Sequence, residues 1–372
     1  MKKGVYIHDS YYRDGKLVFA GVKRKIEDQI TVFRNCYEME DIELEWKNAS
    51  PLLKRLPGGS RLYHWEKIII DTDNTAFVYI RKPTFDHGFF EFVANIKRKN
   101  SDIKILLEIP TYPYDKEQFS QSLSSTPLFI KDVVFRNASG KYLDRIITYT
   151  KDKSIFQIPT INIQNGVNVQ KYPIVVHDNN RRNEINLIAV ASLQYYHGYE
   201  RILYGMADYY KEKRDIDVRL LLVGTGEAQE ELRTITHELG LEKQVVFYGM
   251  KTGEELSEIF NLGDIGLGSF GFYKIGLSKA SSLKTREYLA RGIPVFSGCE
   301  QDIFETAPCS YHMEIENNNS PVDIENVVRF YKDIYSNKDK NTVAGEIREY
   351  AKKYASIEKS LEPVMEYLSN TD

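Results

Sequence analysis

Short apolar runs alternate with amphipathic segments along most of this chain, and that alternation leaves few folds open. In the first half, "GVYIH", "KIIID", "FVYIR", "IKILLEI" and "RIITYT" read as strands. Between them Val22, Ile26, Ile30 and Phe33 recur at helical spacing, as do Phe89, Phe92, Val93 and Ile96. In the second half "INLIAVASL", "VRLLLVG", "QVVFYG", "DIGLGSF" and "IPVFSG" read as strands. Helical "GYERILYGMADYYKEK", "EAQEELRTITHELG" and "GEELSEIFNLG" separate them, and a long charged helical tail runs from about Val343 to Leu368. The pattern is that of an α/β protein with parallel sheets.

At 372 residues the chain exceeds one small core, and the length suggests two domains. The polar stretch "VVHDNNRRNEIN", Val175 to Asn186, precedes a fresh start of strand–helix alternation and marks the boundary. The expectation is a first domain over 1–180 and a second over 181–354, with a last helix near 355–372 packing back on the first. Two Rossmann-like domains with parallel sheets would face each other across a cleft, binding ligands at the carboxyl ends of their strands.

A net charge of −3 excludes a global field for nucleic acid or anionic lipid, so any such contact needs a local patch. The three cysteines lack zinc or redox spacing, and the histidines show no H-x3-H or HExxH pattern, which predicts no metal and a reduced, cytoplasmic setting. No stretch reaches signal-peptide or membrane-span length. The 26 tyrosines suit sugar or lipid contact without proving either.

The segment "SSLKTREYLARGIPVFSG" is the most informative. Ser281 or Ser282 is a good N-cap, and Gly292 with Pro294 beyond it stops the helix, so it spans Leu283 to Arg291. Its N-terminus offers unpaired N–H groups and partial positive charge, both suited to phosphate. Lys284 in the first turn adds a charge that the helix dipole disfavours unless an anion lies nearby. Glu287, one turn on, can accept from two ribose hydroxyls or pair with Arg291 at i,i+4. Both readings stay open on the residues alone.

With its surroundings, "LKTREYLARGIPV" resembles the signature of retaining glycosyltransferases of the GT-B fold, family 4. "INLIAVASLQYYHGYERILYGM" is similar to the family's first donor-domain strand and helix, "RLLLVGTGEAQEEL" to its glycine turn, and "LGLEKQVVFYGM" to the strand near the base. "INIQNGVNV" is similar to the segment closing the acceptor domain. The resemblance is strong over 185–300 and loose before it. It implies that Glu287 binds the donor ribose and that Ser281, Ser282, Leu283 and Lys284 hold the diphosphate. It further implies that Gly224 and Gly226 turn beside the nucleotide and that Tyr248, Gly249 and Met250 meet the base; "GTG" alone is equally a plain strand-to-helix turn.

Three positions depart from the family's pattern. An Arg and a Lys that bind diphosphate are replaced by Ser192 and His197, with His197 a remaining donor and Arg201 expected to restore the charge. The earlier glutamate of the E-x7-E pair is Lys279, which would meet phosphate or an acidic sugar, or lie in solvent.

In the first domain Gly21 leads a helix, with Lys23, Arg24 and Lys25 crowding its start. An anionic, lipid-linked acceptor would rationalise them; a solvated charge run is the alternative. Arg81 stands where the family commonly carries a histidine, and Glu108 and Tyr112 follow the next strand. Arg81 and Glu108 are expected as catalytic residues beside Lys284 and Arg201, although Glu108 is equally a structural partner for Arg81. "DTDN", Asp71 to Asn74, has the form of a metal site of another glycosyltransferase fold, but the nucleotide signals lie in the other half, so it is read as a loop.

The resemblance implies metal-independent transfer of a sugar from a nucleotide-diphosphate sugar, UDP- or GDP-linked ahead of ADP-linked, with no cofactor. The acceptor would be a saccharide or polyprenyl-diphosphate saccharide in surface polysaccharide or glycoconjugate assembly, with peripheral contact at the inner membrane face and no nucleic acid partner. A nucleotide-sugar epimerase and a non-catalytic nucleotide-sugar-binding protein are the alternatives.

Overall fold

The computed structural model describes residues 2–10, 12–13, 16–17, 20–47, 62–114, 126–178 and 183–370. The chain forms two compact units, Met1–Ile163 with Ser360–Asp372, and Gln164–Lys359. The division falls at 163/164 rather than at 180/181. Residues after it are tied to the second unit by backbone bonds, Val167 N to Ala355 O and Val175 N to Arg291 O. Residues 179–182 of the expected boundary stretch lie outside the described residues.

The first unit is built on a seven-stranded sheet. Its strands are β1 (Lys3–Asp9), β2 (Glu38–Leu44), β3 (Thr75–Arg81), β4 (Lys104–Ile109), β5 (Arg145–Thr148), β6 (Ser154–Ile155) and β7 (Ile158–Asn162). They lie in the order β2-β1-β3-β4-β5-β7-β6, with β6 alone antiparallel. Helix α1 (Ala20–Phe33) buries Ile26, Ile30 and Phe33; helix α2 (His87–Lys99) buries Phe89, Phe92, Val93 and Ile96, the stripe its spacing predicts. Asp86 caps α2 by accepting from Phe89 N, and Lys97, Arg98 and Lys99 close it where the dipole favours cations. Helix α3 (Thr126–Ser139) completes the described helices of this part of the chain. "KIIID" is not a strand: Trp65–Lys67 form a 3₁₀ turn, and Ile69 is 84% exposed. Ile68 and Ile70 pack on the core instead, so the apolar run anchors an irregular segment.

The second unit holds six parallel strands, β8 (Glu184–Val190), β9 (Asp217–Val223), β10 (Val245–Gly249), β11 (Ile265–Leu267), β12 (Val295–Ser297) and β13 (His312–Glu314), ordered β10-β9-β8-β11-β12-β13. Strand periodicity assigns Ile185, Leu187 and Ala189 to one core and Ile188 to the other, so both faces are covered. The helices are α4 (Glu200–Tyr209), α5 (Gln229–Glu238), α6 (Gly253–Leu262), α7 (Leu283–Arg291), α8 (Asp302–Thr306), α9 (Ile324–Tyr335) and α10 (Lys340–Tyr354). The charged tail is two helices, α10 and α11 (Ile357–Ser369), not one. The break brings Val167 N to Ala355 O and Ile357 N to Val167 O, bonds that a continuous helix would forgo. Among the described residues no helix is long and apolar enough to cross a membrane.

Candidate active site

Helix α7 has the bounds its sequence predicts. Ser282 is the N-cap, its Oγ accepting from Thr285 N, and Gly292 ends the helix at φ 83°. A side chain on Gly292 would also place a Cβ 2.5 Å from Ala344 O. The amides of Leu283 and Lys284, first in the helix, find no acceptor among the described residues. Anchoring comes from within: Arg286, fully buried, donates to Ser282 O (3.2 Å) and pairs with Asp302 (2.9 Å), and Thr285 bonds Gln301 (3.1 Å).

Lys284 projects from this open end. Its Nζ lies 3.2 Å from the Tyr199 hydroxyl and 3.4 Å from Ser269 Oγ. Among the described residues no carboxylate lies within 4.0 Å of it. Burial lowers the ammonium to about 7, and the nearby Cys299 thiol only partly opposes this. His197 stands beside it, its own imidazole pushed to about 3 by burial and by the Lys284 charge. A basic side chain at the positive end of a helix, with neutral partners only, is arranged to receive an anion.

Glu287 makes the ion pair that one of its two sequence readings expects. Arg291 Nε and Nη2 each lie 3.3 Å from Oε1, the expected i,i+4 pair. Oε2 makes no hydrogen bond to a described residue and remains able to accept. Ser281 is engaged on its other side: its Oγ accepts from Asn165 N (3.1 Å) and its carbonyl from Asn165 Nδ2 (2.7 Å). The "INIQNGVNV" segment thus braces the approach to α7.

Other predicted donor residues do different work. Arg201 is only 2% exposed, and its guanidinium is spent on Ser320 O, Phe270 O, Glu316 O and Asn318 Oδ1 at 2.6–3.2 Å. It ties the 316–320 loop to the loop after β11 and does not restore a diphosphate charge. Lys279 pairs with Glu305. His197 is buried, and its Nδ1 accepts from Gln194 N (3.3 Å), fixing the turn over 194–197. Ser192 Oγ accepts from Gln194 Nε2.

Gly224 and Gly226 are required by packing. Gly224 sits at φ 121°, where a Cβ would meet Ala191 O at 1.9 Å; one on Gly226 would meet Leu193 O at 2.3 Å. The loops after β8 and β9 touch through Leu193 N to Thr225 O, which brings "ASL" and "GTG" together at the carboxyl edge of the sheet. Beside them, Gly249 accepts from Gly224 N, Tyr248 is half-buried and Met250 is 73% exposed.

In the first unit Glu108 is completely buried. Arg81 Nη1 (2.7 Å) and Tyr149 (2.8 Å) bond Oε1, Tyr79 (3.0 Å) and Gln29 (3.2 Å) bond Oε2, and Lys25 lies 3.7 Å away. Burial drives the carboxyl up, but Arg81, Lys25 and the hydroxyls together bring it down to about 2. Glu108 is therefore a structural anchor for Arg81, not a group in contact with an acceptor. Gly21 opens α1 and is exposed; Lys23 pairs with Glu27 (3.6 Å), and Arg24 is exposed. Tyr112 is half-buried against Phe156. Asp71 accepts from Asn74 Nδ2 and Asp73 N within its own turn. Among the described residues no three His, Cys, Asp or Glu side chains are grouped to hold a metal ion.

Sequence reading missed Tyr199 and Ser269, the two hydroxyls at Lys284. Ser269 follows a strand end, which is a usable signal; nothing marks Tyr199 except its place before α4.

Residues 176–298 match the family model described as Glycosyl transferases group 1. No curated protein matches the sequence. Among solved structures the chain is similar to HepE from Anabaena in complex with UDP, at 14% identity and a TM-score of 0.65, covering 99% of this chain and 100% of that one. It is similar to a glycosyltransferase from Rickettsia africae, at 11% identity and 0.64, covering 100% and 98%. It is also similar to sucrose-phosphate synthase from Thermosynechococcus elongatus, at 15% identity and 0.56, covering 99% of each. With two parallel α/β units and these likenesses, the fold is GT-B.

Proposed function

We propose that this chain is a glycosyltransferase that moves a sugar, with retained anomeric configuration, from a nucleoside-diphosphate sugar to a saccharide or lipid-linked saccharide. The observation that carries the reading is Lys284, poised at the open end of a capped helix without a carboxylate partner among the described residues. The family match includes all of α7, and the UDP bound to HepE supports a nucleotide donor, UDP-linked ahead of GDP- or ADP-linked. An acceptor from surface polysaccharide or glycoconjugate assembly, met at the cytoplasmic face of the membrane, fits the same resemblance.

In this reading the Leu283 and Lys284 amides and the Lys284 ammonium hold the diphosphate, and Glu287 Oε2 accepts from the ribose. As the anomeric C–O bond breaks, its electron pair passes to the diphosphate oxygen, and the fixed positive charge stabilises it. The acceptor hydroxyl attacks from the same face and passes its proton to that departing oxygen, so no protein nucleophile takes part. Lys284 and the helix N-terminus supply the positive charge that a divalent ion would otherwise bring, which makes metal independence the expectation. Arg201 and Asn165 position the surrounding loops.

A ligand that binds only the folded state at 100 times its Kd adds about 2.7 kcal/mol of apparent stability. A thermal-shift series with UDP, GDP, ADP and their sugars should show such a gain for one base. Transfer of the sugar it selects should persist in EDTA. Absence of any shift, together with no donor turnover, would overturn the reading; loss of transfer in EDTA with recovery in manganese would overturn metal independence.

A further inference from the structure

The run "KIIID", Lys67 to Asp71, keeps the habit of a strand with no strand beside it among the described residues. Its exposure alternates with period two: Lys67, Ile69 and Asp71 are exposed, while Ile68 and Ile70 are half-buried on the core. Ile69, at 84%, is the most exposed large apolar side chain among the described residues. A cavity of about 560 Å³, lined by Ile68, Ile69 and Ile70 and by Phe92 and Ile96 of α2, borders the run. An extended apolar run with open edges is a template for another strand.

The pattern of unpaired backbone groups fits one partner. Among the described residues nothing bonds the N–H groups of Ile69, Ile70 and Asp71 or the carbonyls of Lys67, Ile68, Ile69 and Ile70. Lys67 N and Asp71 O are used internally, by His64 O and Thr75 N. In an antiparallel ladder, alternate residues exchange bonds with the residues opposite. A second copy of the run, with Ile69 opposite Ile69, takes the N–H and carbonyl of that residue in each chain. It also joins each Asp71 N–H to the facing Lys67 carbonyl. The ladder stops there, because the return bond from Lys67 N to Asp71 O needs the two groups already taken. The side chains agree with this register. Each Lys67 faces the other copy's Asp71, and the exposed Ile69 gains an apolar neighbour. Parallel pairing would set lysine beside lysine. Lys67 now pairs with Glu45, an exposed pair of little worth that it can exchange.

We propose that this run is a homodimer interface, in which two copies of the chain pair antiparallel through Lys67–Asp71 about a two-fold axis at Ile69. The contact is isologous, so each ion pair and each backbone bond occurs twice.

The test is sedimentation equilibrium on the full chain over about 1 to 300 µM. So short a ladder makes a small interface, so association should be weak, with the mass rising towards two copies and stopping there. Lys67→Asp and Asp71→Lys each oppose like charges at both ends, and each should weaken association about tenfold. Mixed in equal amounts, the two chains restore both ion pairs and should recover wild-type association. Melting curves show whether each variant folds. Because Asp71 also holds its own turn through Asn74 Nδ2 and Asp73 N, cross-linking gives a second readout that leaves it in place. In a Cys36→Ser background, which removes the exposed native thiol, Ile69→Cys should form a disulfide dimer on mild oxidation. Its two Cα atoms would lie about 5.5 Å apart, within disulfide reach. Lys67→Cys should not, its Cα atoms lying more than about 13 Å apart. A wild type that stays monomeric, growth past two copies, a mixture no tighter than its components, or equal cross-linking at both positions overturns the interface. If Asp71→Lys fails to fold, the cross-link at Ile69 decides, and its absence overturns the interface as well.

Discussion

Raising the pH should weaken donor binding through Lys284 alone. Burial lowers this ammonium from its ordinary 10.5 to about 7, while His197 beside it is held at about 3 and Cys299 is driven to about 12. Between pH 7 and 9 the lysine therefore titrates and its two ionisable neighbours do not. A bound diphosphate supplies the missing anion and returns the proton, so binding takes up protons as the pH rises. With the bound lysine fully charged, the apparent Kd scales as one plus ten to the power of pH minus about 7. Affinity should then fall roughly 16-fold between about pH 7 and pH 8.5. Calorimetry with a nucleotide-sugar is the assay, because its diphosphate has no ionisation near neutrality. Buffers of different ionisation heat count the proton directly, about one per site at pH 8.5.

Two variants isolate the group. Lys284→Met should bind more weakly with a flat pH profile and no proton uptake; Lys284→Arg, charged throughout, should also be flat. The unliganded protein offers an independent check of sign. Because the folded pKa lies below the unfolded one, the unfolded chain holds the extra proton between about 7 and 10.5, and stability from this site rises with pH across that window. Wild-type affinity that ignores pH, or a Lys284→Met chain that keeps the wild-type slope, would refute the argument.

Glu287→Gln should weaken nucleotide binding about 10- to 100-fold, the cost of one or two charge-assisted bonds, with a small change in melting because Arg291 stays buried against Phe260. Unchanged calorimetric affinity would leave Glu287 as the i,i+4 partner of Arg291 only. Arg201→Lys should cost about 3 kcal/mol in urea unfolding, since a lysine cannot reach four separated acceptors. An intact fold with lost diphosphate affinity would return Arg201 to the donor site. Glu108→Gln should cost about 3–5 kcal/mol by leaving two buried cations without their carboxylate. In the wild type this contribution is present above the ordinary carboxyl value of 4.5 and fades as pH falls towards about 2, so acid unfolding curves of the two chains should converge there.

What the sequence made legible was set by local rules. Helix α7 could be bounded to the residue because an N-cap serine and a left-handed glycine act within a few positions. The i,i+4 pairing of Glu287 with Arg291 was legible for the same reason. The failures are long-range. Arg201 meets acceptors 69 to 119 residues away, and Lys279 meets Glu305 across 26, distances over which spacing carries no information. "KIIID" has a strand's composition, but neighbouring strands decide whether a run enters a sheet, and here "FVYIR" takes that place.

A positive charge near a presumed phosphate site is weak evidence until its existing partners are counted. Among the cations once assigned to the donor, Arg201 is occupied by carbonyls and Lys279 by Glu305; Arg286, buried in the same helix as Lys284, is occupied by Asp302. Each has its donors occupied inside the chain and gains little from a ligand. Lys284 has two hydroxyls and the wrong end of a helix dipole, so its charge is costly in the empty site. That cost is what a diphosphate would relieve, and differential binding is largest where the unliganded state is least satisfied.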